Sequence, residues 1–160
     1  MMRIPPKTAR VFSVLAVLVL ASCSNEVSFK IEPLNQQTAQ SELRERGISI
    51  PDSYLLVAMD KMLPPGAGGA SYTGAFDSPT PIAPILIDGT PASTQPTACS
   101  VLTHDRFPQK WFDIGLDCHT MSDVRLGGGR PLNSSVIMVT IVSGVLPTGK
   151  ARVYFLAAGN

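Results

Sequence analysis

The thiols and imidazoles are the most reactive groups in this sequence, and there are five of them: Cys23, Cys99, Cys118, His104 and His119. Zinc centres draw about four such ligands from short, recurrent spacings. Positions 99, 104, 118 and 119 follow no such pattern, so neither a metal nor another cofactor is expected. Cys118 and His119 adjoin, yet neighbours on a strand point to opposite faces, which keeps the imidazole away from the thiol. His104 and Asp105 with one of the many serines make a hydrolase only on paper, because no Gly-x-Ser-x-Gly elbow presents a nucleophile. Gly127, Gly128, Gly129 and Arg130 offer amides and a guanidinium to an anion, but they match neither a P-loop nor a dinucleotide fingerprint. A flexible turn is the favoured reading of that run. Phe107, Trp111 and Phe112 cluster around Arg106 and Lys110. Exposed, such aromatics stack on glycan rings or anchor a partner; buried, they plug a core. Phe107, Trp111 and Arg130 are therefore the candidate contact residues.

The N-terminus is more specific. Arg3, Lys7 and Arg10 precede an apolar run over residues 11–21 in which Ser13 is the only polar side chain. That is the basic region and apolar region of a secretory signal, too short for the roughly 20 residues of a membrane-spanning helix. It ends Leu20-Ala21-Ser22-Cys23, which resembles the lipobox of bacterial lipoproteins. The resemblance implies a diacylglyceryl group on Cys23, cleavage before it, and often acylation of the new amine. Two or more acyl chains attach a protein stably where one does so only marginally. Ser24 stands where, in Gram-negative members, an Asp tends to retain such proteins at the inner membrane, so the resemblance implies the periplasmic face of the outer membrane in a Gram-negative envelope and otherwise the outer face of the plasma membrane. The resemblance covers residues 1–23 alone.

Domain organisation follows as a signal peptide over 1–22 and a single envelope domain over 23–160. Loss of three basic residues with the signal leaves ten Lys and Arg against twelve Asp and Glu, a net charge of −2 in place of +1. No polybasic footprint for nucleic acid remains.

Alternation dominates the mature chain. Val27, Phe29 and Ile31 alternate with Ser28, Lys30 and Glu32, which predicts a half-buried strand close to the anchor. Residues 36–46 hold good helix formers, with Thr38 or Ser41 as caps and Gly47 as a stop, and predict one short helix. Residues 54–63 fit helix or strand; strand is the expectation. Residues 64–98 carry so many prolines and glycines that they read as an irregular functional loop, with one edge strand over 82–88. Phe112, Ile114, Leu116 and Cys118 predict a strand by their period of two. Residues 135–142 read as a strand covered on both faces, and a turn at 146–149 leads to a last strand over 151–157. The fold class is mainly β or α+β: a small single-domain sandwich or sheet with one short helix.

With Cys23 lipidated and the chain exported to an oxidising space, Cys99 and Cys118 are expected to form a disulfide. A hairpin of residues 98–103 with 111–118 would set them directly opposite each other. The functional expectation is a lipid-anchored, non-enzymatic envelope protein that binds or scaffolds a protein or glycan. The alternative is a hydrolase or small-ligand carrier with a pocket near His104, His119 and Arg130.

Overall fold

The computed structural model describes residues 28–160; the signal segment, Cys23 and Val27 lie outside the described residues. In chain order the elements are β1 (Lys30–Pro33), α1 (Gln36–Arg44), β2 (Ile48–Ser49), β3 (Leu55–Leu63), β4 (Ser71–Ser78), β5 (Leu86–Ile87), β6 (Thr90–Pro91), β7 (Ser93–Pro96), α2 (Gln109–Asp113), β8 (Ser122–Gly129), β9 (Val136–Val145) and β10 (Ala151–Gly159). Seven strands form one antiparallel sheet in the order β1-β3-β4-β10-β9-β8-β7, and β2-β5-β6 form a second, small one. The fold is mostly β, a small single domain with two sheets.

β9 and β10 centre the large sheet, as their β-branched and aromatic runs require. Leu146 N–H donates to Lys150 O at 2.8 Å across their turn, where Gly149 takes a φ of 80°. One sheet face carries Met59, Tyr72, Phe76, Ile141, Val153 and Phe155, packed under Ala39 and Leu43 of α1 and under Ile48, Ile85 and Ile87 of the small-sheet region. The opposite face carries Ala75, Val142 and Tyr154 and is covered by Leu102, Trp111 and Leu116 from residues 99–118.

The short helix forms as expected, but its cap is Asn35, whose side chain accepts from Thr38 N–H at 2.9 Å, and not Thr38 or Ser41. Gly47, at φ 77°, ends that region in the left-handed conformation that favours glycine. Residues 55–63 are a strand.

The irregular reading of 64–98 fails at its middle, because β4 is a central, largely buried strand. Its small residues hid it. Tyr72 and Phe76 face one cluster and Ala75 the other, while Gly74 lies against the backbone of Ala58 and Met59, where a bulge in β3 leaves no room for a Cβ. The strand expected over 112–118 is also absent. A short 3-10 turn (Cys99–Val101) and α2 occupy that region, because Pro108 suits a helix start, Trp111 and Leu116 both turn inward, and Gly115 reverses the chain at φ 97°.

β1 forms, yet Phe29 and Ile31 are 56% and 60% exposed, so its apolar side is not the buried one. β9 likewise is not covered throughout, since Ile137 and Met138 are exposed at its start.

Candidate functional site

Three strands of the large sheet end beneath residues 79–85, which cross over them as an extended, proline-rich strap. Between strap and sheet lies an open cleft of about 430 Å³. Its floor is Ile141, Ser143, Val145 and Val153, alternate residues that share a face by the period of two; its roof includes Pro81, Ile82 and Ala83. Tyr54 holds the roof, since its buried hydroxyl donates to Ala83 O. Burial raises the Tyr54 hydroxyl above its ordinary pKa, against a hydrogen bond with Ser78 that lowers it, so it remains a neutral donor.

Arg125 stands at the cleft's polar side. Its Nε donates to Thr94 Oγ1 at 3.3 Å and its Nη2 to Thr94 O at 3.1 Å, while Nη1 lies 4.0 Å from Asp123 Oδ1. Asp123 is itself well exposed, so it screens the guanidinium only in part. By its chemistry, a mostly apolar hollow with one positioned cation is suited to an apolar group that carries an anionic or carbonyl function.

A second hollow, of about 730 Å³, brings His104 and His119 beside Cys99 and Cys118. The two cysteines stand at disulfide distance with Cα atoms 5.4 Å apart. The pairing is the expected one, but a turn and a helix bring it about, not a hairpin register. Cys99, Cys118 and His119 place their ligand atoms within 4.8 Å of one another, and with the two sulfurs joined only the imidazole is left to donate. His104 Nδ1 pairs with Gln109 Oε1 at 2.9 Å, and its ring stacks on Phe112 with centroids 3.7 Å apart. At Nδ1 the imidazole is thus bonded to an amide and not to a serine.

Arg130 lies elsewhere, exposed beyond the opposite end of β8, and does not line this hollow. The three-residue pocket of His104, His119 and Arg130 is not assembled. Gly127, Gly128 and Gly129 are not a turn but part of β8, paired with β7 and β9, and close approach of those backbones leaves no space for side chains at Gly127 and Gly128. Trp111 is fully buried, donates from Nε1 to Phe155 O at 3.1 Å and stacks with Phe107 at 5.4 Å. It plugs the core and is no contact surface, because its indole fills the gap between residues 99–118 and the sheet.

Arg125, Thr94 and Ser143 escaped the sequence reading. Each is an ordinary polar residue in its local stretch, and only register across β7, β8 and β9 gathers them. The proline density of residues 79–84 was the one local signal. Comparison with protein-family models, curated proteins and solved structures finds no match for the chain.

Proposed function

We propose that the protein is a bacterial envelope lipoprotein, held by lipid on Cys23 at the periplasmic face of the outer membrane, and that its work is non-enzymatic binding of an envelope component. The cleft beneath residues 79–85 carries this reading: it has the volume and apolar walls of a binding site and one oriented cation, Arg125, at its side. The occupant is an apolar group of a protein or glycan partner bearing one anionic or carbonyl function.

Two measurements test it. Cys23→Ser moves the protein from the membrane to the soluble fraction; unchanged fractionation rejects the anchor. A photoreactive benzophenone amino acid at Ile82, in the full chain in cells, yields a discrete cross-linked adduct that Arg125→Ala weakens about tenfold, the effect of losing roughly 1.4 kcal/mol of charge-assisted hydrogen bonding. No adduct at Ile82, or one indifferent to Arg125, rejects the cleft.

A further inference from the structure

Single exposed apolar residues are ordinary on a soluble protein, whereas a cluster marks a contact surface. Seven large apolar side chains are exposed among the described residues: Phe29, Ile31, Leu55, Val57, Leu132, Ile137 and Met138. Four of these gather at one end of the large sheet. The antiparallel registers show why. Ile31 is opposite Met62, Met62 opposite Ser71, and Ala158 opposite Met138, while Tyr72 opposite Ala157 brings Ser71 beside Ala158.

Residues directly opposite each other share a sheet face. Ile31, Met62, Ser71, Ala158 and Met138 therefore make one continuous row on the face that Trp111 covers farther along. At about 4.8 Å per strand step, the row runs some 19 Å across five strands. It contains no charged side chain. Phe29 extends it, beside a shallow hollow of about 290 Å³ formed with Met62, Pro64 and Ser71. Residues 99–118 cover the middle of this face and stop short of its end.

Ser28, the first described residue, leads into β1 at this same end of the sheet. It follows Cys23 by five positions, and a fully extended chain over five steps reaches at most about 18 Å. A lipid on Cys23 therefore holds the β1 end of the row, at Phe29 and Ile31, within one tether length of a bilayer, and the row runs on from there. We propose that this row, with Phe29 and Ile137 at its margins, lies against the lipid surface, so that the domain is seated on the membrane and not merely tethered to it. The inference rests on the lipid anchor at Cys23. Its consequence is an orientation: the cleft lies over the opposite ends of β8, β9 and β10 and opens away from the membrane.

The test uses the lipidated full chain in phosphatidylcholine vesicles with and without brominated acyl chains. Tryptophan is introduced singly as Met138→Trp, as Ile31→Trp, and as Leu55→Trp at the far end of the sheet; the signal of the fully buried Trp111 in the parent chain is subtracted. Flotation with the vesicles reports the anchor. Quenching reports the seat.

The proposal expects brominated lipid to remove about half of the fluorescence introduced at Met138 and at Ile31, as for groups lying at the headgroup and acyl boundary. It expects no quenching at Leu55. A chain that floats with all three indoles unquenched overturns the seat and leaves the anchor standing. An indole at Met138 that lipid does not quench, but that is screened from aqueous iodide, assigns the row to a protein neighbour and also overturns it. A chain that does not float overturns the anchor and this proposal together.

Discussion

Glu42 decides how firmly α1 is held to the sheet. Its Oε2 accepts from Tyr72 OH at 2.6 Å, and Lys61 Nζ lies 2.8 Å from the same oxygen. Arg46, just past the end of α1, reaches back to the pair, with its guanidinium 3.9 Å from Glu42 Oε2 and 5.0 Å from the centre of the Tyr72 ring. Partial burial raises the Glu42 carboxyl, but the hydrogen bonds from Lys61 and Tyr72 and the nearby positive charges prevail and hold it below the usual value. A carboxyl lowered in the folded state contributes stability above its unfolded pKa of about 4.5, and that contribution is lost as pH falls through the folded value. Glu42→Gln is expected to lose about 1–3 kcal/mol at pH 7. It also flattens the dependence of stability on pH below about 4.5, which urea titrations at neutral and acid pH compare directly. Trp111 is the counterpart on the other face. Trp111→Ala opens a cavity beneath residues 99–118 and removes the indole donor from Phe155 O, at a cost of about 3–5 kcal/mol in the same titration.

The elements obey backbone geometry as much as side-chain chemistry. β4 reads as loop because it is built from small and polar residues, yet those residues are what a crowded central strand requires. Gly74→Val drives a side chain into the Ala58 and Met59 backbone at the β3 bulge. It is expected to cost about 1–3 kcal/mol or more, seen as a lower thermal midpoint. Residues 99–118 are the element most dependent on covalent closure, having only a short turn and a five-residue helix of their own. Arg152 and Lys110 help to fasten them: Arg152 Nη1 donates to Ile114 O at 2.9 Å, and Lys110 Nζ lies 2.9 Å from Asp60. Joining Cys99 to Cys118 closes a loop of 19 residues, worth about 3 kcal/mol in the chain-entropy view. A double change of Cys99→Ser and Cys118→Ser loses about that much and exposes Trp111, detectable as a red-shifted emission; an unshifted spectrum with unchanged stability contradicts it.

At the scale of the molecule, the sheet has two unlike ends. One combines exposed apolar residues with the approach to Cys23; the other carries the cleft. The proposed lipid on Cys23 is tested at this scale: Cys23→Ser is expected to release the protein from the membrane fraction, and unchanged fractionation contradicts the anchor.

Local pattern determined much of this protein. The short helix before Gly47, the strands at 55–63, 136–145 and 151–159, and the partnership of Cys99 with Cys118 were all legible, because each rests on residue type and near-neighbour periodicity. Packing decided the rest. The period of two over 112–118 gave way to a helix because Trp111 and Leu116 bury together, and the prolines and glycines around β4 concealed a strand whose reason is backbone crowding. The cleft is the clearest case. Arg125, Thr94 and Ser143 are far apart in sequence and unremarked in their own segments, and only antiparallel register places them around one hollow. The exposure of Ile31 and Met138 has the same origin. Alternation shows which side chains share a face, but only the tertiary arrangement decides whether anything covers it.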